Sequence, residues 1–84
     1  MKTFREKVLS VVATIPRGSM MTYGAVAKRA GNPRAARAVG AIIATNYDPK
    51  IPCHRVIGAD GSLTGYNRGL AKKRALLKAE GAIR

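Results

Sequence analysis

The chain has 84 residues, with sixteen Lys and Arg against four Asp and Glu, a net charge of +12 and 46% hydrophobic residues. That length makes one domain burying about 60–65% of its unfolded surface, with no room for a separate cofactor domain. One Cys and one His exclude an internal disulfide and a four-ligand zinc site, and no apolar run is long enough for a membrane span or a signal core.

A reduced, cytoplasmic setting is therefore expected. The charge surplus points to a polyanion, with nucleic acid ahead of a membrane surface because no strongly amphipathic basic helix stands out. The plainer alternative is that the basic residues only confer solubility.

In chain order, Thr3-Phe4-Arg5-Glu6 has the form of a capping box. Phe4, Val8, Val11 or Val12, and Ile15 follow at helical spacing, predicting a helix over about 4–14 that Pro16-Arg17-Gly18 ends. Met20 and Met21 suit a short extended piece. Thr22 caps a second helix to about Ala30, with Gly31 as its stop, and Asn32-Pro33 restarts a third helix to about Ala44. Two short helices about a Gly-containing turn are a helix-turn-helix signature, whose second member usually enters a DNA groove. The third helix offers Arg34 and Arg37 among Ala35, Ala36, Ala38, Gly40 and Ala41. Such small residues either admit a close backbone approach or pack on the first two helices.

Asn46 to Lys50 reads as a loop. Arg55-Val56-Ile57 and Ser62-Leu63-Thr64 flank Asp60-Gly61 as a hairpin, the wing of a winged helix. Gly65 to Gly69 is a glycine-bounded loop. A last helix runs from about Leu70 to Ala79, carries Lys72, Lys73, Arg74 and Lys78, and ends at Gly81. The fold class expected is mainly α: a winged helix-turn-helix with a three-helix bundle, a small β-hairpin and a C-terminal helix.

Cys53 and His54 stand side by side between Pro52 and Arg55. An imidazole beside a thiol is one way to make a nucleophilic thiolate near neutral pH. The alternative is a buried Cys and a merely hydrogen-bonded His.

Taken together, Thr22-Tyr23-Gly24, Gly31-Asn32-Pro33, Ala36-Arg37-Ala38-Val39-Gly40, Asn46, Pro52-Cys53-His54-Arg55-Val56, Asp60-Gly61, Gly65-Tyr66 and Glu80-Gly81 cover nearly the whole chain. In content and order they resemble the C-terminal, active-site domain of O6-alkylguanine-DNA alkyltransferases and the related alkyltransferase-like proteins. The Pro-Cys-His-Arg stretch is the specific piece. The resemblance implies a single active-site and DNA-binding domain over 1–84, without the family's N-terminal domain. It implies binding of duplex DNA from the minor-groove side, rotation of O6-alkylguanine out of the stack, and one irreversible transfer of the alkyl group to Cys53, with no cofactor or metal and as a monomer.

Carried over position by position, His54 would draw the Cys53 proton, through a water in the family. Glu80 would orient His54, and Asn46 would set the active-site turn. Tyr23 would press on the target phosphate, and Arg37 would fill the space of the flipped base, on a DNA-binding helix that also carries Arg34, Ala36 and Gly40. Tyr66, Val56, Asn67, Pro52 and Arg68 would line the base pocket, Arg68 standing where many relatives have a small residue. Two other readings are a lesion sensor that recruits repair factors, which in the alkyltransferase-like proteins typically lacks this cysteine, and an ordinary winged-helix regulator.

Overall fold

The computed structural model describes residues 2–46, 48, 50–58 and 69–83. Among them lie α1 (Phe4–Ala13), β1 (Met21–Thr22), α2 (Tyr23–Arg29), α3 (Ala36–Ala44), a 3-10 turn (Cys53–Arg55), β2 (Val56–Ile57) and α4 (Leu70–Ala79). The architecture is mainly α, as expected. The Asp60-Gly61 hairpin turn, its second arm, and Tyr66, Asn67 and Arg68 lie outside the described residues.

The capping box of α1 forms in full. Thr3 Oγ1 accepts the Glu6 amide at 3.1 Å and Glu6 Oε1 accepts the Thr3 amide at 3.3 Å. Its stripe turns inward: Val8, Val12 and Ile15 are buried, with Phe4 and Val11 packed at their edge. Thr22 caps α2 by accepting the Ala25 amide at 3.1 Å.

Both α2 and α4 stop by the same device. Gly31 and Gly81 take the left-handed conformation, φ 97° and 79°. The Gly31 amide reaches the Lys28 carbonyl and the Asn32 amide that of Ala27; after α4, Gly81 reaches Lys78 and Ala82 reaches Leu77. These paired bonds satisfy the last carbonyls of each helix, the pattern that favours glycine just past the end.

The third helix begins later than the sequence suggests. Asn32 does not cap it and Pro33 is not its first residue. The Asn32 side chain instead accepts the Arg34 amide at 3.2 Å, and its carbonyl accepts the Ala35 amide at 3.0 Å. A turn therefore consumes 32–35, and α3 starts at Ala36 with no side-chain cap. An Asn side chain can serve a turn as readily as a helix start, and here the turn wins.

The first three helices pack on one another around Val8, Val12, Val26, Ala27, Val39 and Ile43, all fully buried. Each fully buried Val or Ile contributes about 1.5–3 kcal/mol relative to exposure. The short strands pair in parallel, Met21 opposite Val56 and Thr22 opposite Ile57. This ladder joins the start of α2 to the residues just after Cys53.

Gly81→Ala should cost about 1 kcal/mol through the left-handed backbone alone, since a Cβ there meets nothing within 4 Å. In a domain of this size that is a fall in Tm of about 4–8 °C, read by far-UV circular dichroism.

Candidate active site

Pro52 shapes the approach to Cys53. At φ −79° and ψ 64° it forms an inverse γ-turn. The Cys53 amide accordingly reaches back to the Ile51 carbonyl at 2.8 Å. Proline fixes φ near the value this turn requires. The chain then enters the 3-10 turn, where the Arg55 amide bonds the Pro52 carbonyl at 3.0 Å and the Val56 amide bonds that of Cys53.

Cys53 is 4% exposed and lies in the same core cluster as Val56. Asn46, at the exit of α3, turns its carboxamide onto it: Nδ2 donates to Sγ at 3.1 Å. The other end of that carboxamide accepts the Asp48 amide at 3.4 Å. This fixes which end of the amide faces the sulfur, and a donor aimed at sulfur favours the thiolate over the thiol.

Glu80 follows α4 as its C-cap, and its carboxylate serves both residues after Cys53. His54 Nε2 lies 3.0 Å from Oε2, Arg55 Nη2 donates to Oε2 at 2.6 Å, and Arg55 Nε donates to Oε1 at 2.9 Å. Arg55 also donates from Nη1 to the Ile15 carbonyl at 2.7 Å. The Arg55 hydrogen bond, helped by His54 and opposed by burial, holds the Glu80 carboxyl near pKa 2, and the same bond raises Arg55. An ionised carboxylate can only accept, so Nε2 of neutral His54 carries the proton. Nδ1 is then left with its lone pair, the state a base needs.

Asn46, Cys53, His54 and Glu80 thus converge from α3, the 3-10 turn and α4, although Glu80 is 26 positions from His54. Val56 is buried and Pro52 half-buried on the same turn. Tyr23 opens α2 and packs half-buried against the core. Arg34 and Arg37 are exposed at and before the start of α3, with Ala36 and Gly40 half-buried beside them. They form a surface distinct from the buried sulfur. Two residues escape the sequence reading. Arg55 belongs to the Pro-Cys-His-Arg stretch but receives no role there. Lys73 is placed there only among the basic residues of the last helix, with no role, and it is fully buried. Its place four residues before Leu77, on the inward stripe of α4, is the signal that could have found it.

A helix-turn-helix domain with a buried Cys-His-Glu constellation at its side is the class that fold and geometry define. The chain belongs to the family described as the DNA binding domain of 6-O-methylguanine DNA methyltransferase, whose model matches residues 3–82. The methylated-DNA–protein-cysteine methyltransferase of Methanosarcina acetivorans is 51% identical over 82 residues, covering 94% of this chain and 51% of that protein. The Mycobacterium tuberculosis OGT structure in complex with DNA superimposes with a TM-score of 0.90 at 46% identity, covering 98% of this chain and 52% of that one. The S. pombe Atl1 structure, in complex with damaged DNA containing O6-carboxymethylguanine, gives 0.84 at 31% identity, covering 96% and 80%. The chain spans about half the length of the curated relatives it matches.

The Glu80 pairing sets an acid limit on stability. Its folded pKa of about 2 lies below the ordinary 4.5, so the stabilisation is fully present above pH 4.5 and fades as pH falls toward 2. That difference is worth roughly 3 kcal/mol. Glu80→Gln should therefore lower stability by that order at pH 7, with the gap to wild type narrowing toward pH 2, as read by urea unfolding across the range.

Proposed function

We propose that this chain repairs DNA by direct reversal, taking the alkyl group of O6-alkylguanine onto Cys53 in one irreversible turnover. The observation that carries the reading is the sulfur itself: buried, hydrogen-bonded by Asn46 and followed by a histidine anchored on Glu80. The matched family and the relatives named methylated-DNA–protein-cysteine methyltransferase support the same chemistry.

The steps follow from the groups present. The Cys53 proton passes to Nδ1 of His54, by way of a water as in the family. The Glu80 carboxylate stabilises the imidazolium so formed. The thiolate attacks the alkyl carbon, a C–S bond forms, and the C–O6 bond breaks with its electron pair going to guanine. Guanine regains a proton on its ring, from Tyr66 on the family pattern, and Cys53 is left as a thioether. No step regenerates the thiol, so each molecule acts once. A base within the stack cannot reach the thiol of a residue as buried as Cys53, so the lesion must be rotated out of the duplex.

The helix-turn-helix supplies the duplex contact. Lys28, Arg29, Arg34 and Arg37 are exposed on it, and such cations bind phosphate with strong salt dependence. Buried Val39 and Ile43 turn the opposite side of α3 outward, where Arg37, Ala38, Ala41 and Ala44 are exposed. Gly40 is a glycine the fold does not demand, since a Cβ there meets nothing within 4 Å. A small surface of this kind lets the helix backbone come close to a narrow minor groove, with Arg37 entering the stack and Tyr23 pressing on the neighbouring phosphate.

A duplex carrying O6-methylguanine tests the reaction. Intact mass should rise by one methyl group per molecule, located on Cys53, and should not rise in Cys53→Ala. Tight lesion binding without an adduct would replace this reading with the lesion sensor, and indifference to the lesion would leave a general DNA-binding domain. The contact surface has its own test. Gly40→Leu should weaken duplex binding at least about tenfold with the fold intact, because a side chain blocks close approach. Gly40→Ala should raise stability by about 0.5–1 kcal/mol. Fluorescence anisotropy and thermal unfolding read the two effects.

A further inference from the structure

Lys73 presents a physical problem. Its side chain has no exposed surface, and burying an ammonium costs several kcal/mol unless other groups compensate. The compensation is partly visible. Nζ donates to the Val56 carbonyl at 2.5 Å and lies 6.0 Å from the centroid of the Tyr23 ring. Both stabilise a cation. Val56 closes the 3-10 turn by bonding its amide to the Cys53 carbonyl, so the ammonium is anchored to the turn that carries Cys53. Asn46 approaches the same sulfur with an N–H.

We infer that Lys73 is the counter-charge of the Cys53 thiolate, a positioning residue whose ammonium, held by the Val56 carbonyl and the Tyr23 face, favours the anionic form of the sulfur. This deepens the proposed function and rests on it for Cys53 being the acceptor. Burial pulls Lys73 down to about 8, while Cys53 acts the other way and favours its charge. The attraction is mutual, so whatever Cys53 does for the ammonium, the ammonium does for the thiolate. The nearby charged groups divide the work. His54 and Arg55, on the turn, both bind the carboxylate of Glu80 at the end of α4. Asn46 donates to the sulfur directly, and Lys73, from α4, is anchored on the carbonyl of Val56 three positions further on. His54 takes the thiol proton; Lys73 exchanges none and stabilises the negative charge that remains.

Reciprocity allows a test on the unaltered chain. Capping Cys53 with methyl methanethiosulfonate converts it to a neutral mixed disulfide. The titration of Lys73, followed by NMR of 13C-labelled lysine, should then move down by about one pH unit or more. An unmoved titration overturns the inference. Two variants read the other partner. Lys73→Met removes both charge and donor, whereas Lys73→Gln removes the charge but can still donate to the Val56 carbonyl. In both, the thiolate absorbance at 240 nm, with Cys53→Ala as blank, should appear about one pH unit or more higher than in wild type. A wild-type titration in Lys73→Gln would show that the hydrogen bond to Val56 matters and the charge does not, which also overturns it. If circular dichroism shows that either variant fails to fold, the capped wild type decides alone. None of these measurements uses lesion DNA, so their failure leaves alkyl transfer standing, and failure of transfer leaves the titration readable.

Discussion

The carboxylate of Glu80 receives three N–H groups from two consecutive residues, His54 and Arg55. Three parts of the chain meet at this one group. Glu80 ends α4, its partners form the turn after Cys53, and Arg55 extends the contact to the carbonyl of Ile15 beyond α1. The loop after α1 closes over the same place: Arg17 donates to the Ala79 carbonyl at 3.4 Å, and a Cβ on Gly18 would come within 3.3 Å of the Glu80 carbonyl. Arg55 fixes the charge and direction of the carboxylate, which lets His54 bind it without having to neutralise it. An imidazole held through Nε2 in this way has its ring plane and tautomer fixed.

The few acidic residues have specific local tasks. Glu6 completes the cap of α1, Asp48 accepts the Lys50 amide at 2.9 Å, and Glu80 holds the site. Among the described residues the other Lys and Arg remain at the surface, except Arg55, committed to Glu80, and Lys73, a cation placed in the interior. The domain thus uses positive charge in two ways. Exposed, it is a screened and salt-sensitive attraction for phosphate. Buried on the turn that carries Cys53, it acts at low dielectric, where a charge weighs more.

The helices were legible wherever a local signal set them. Thr3 with Glu6, Thr22, Gly31 and Gly81 each mark a boundary through a bond made within a few residues. Asn32 misled because the same residue type caps helices and builds turns, and the choice between them lies in backbone angles that sequence does not display. The β1–β2 pairing was not legible, since two residues carry no periodicity and their partners lie 35 positions apart. The Cys-His pair was visible as chemistry, but Glu80 and Asn46 could be joined to it only through the family pattern. Lys73 was hidden by its type: lysine reads as surface unless its position on the helix stripe is weighed against its charge.

The ladder between Met21-Thr22 and Val56-Ile57 has two residues on each strand. On one side Tyr23 follows immediately and begins the helix pair; on the other, Cys53 lies three positions before Val56. The helix pair and the buried thiol are therefore adjacent through the backbone, with only a few residues between them. A shift imposed on the start of α2 would reach the Cys53 turn across this ladder, so under the proposed reading grip and reactivity are parts of one tool.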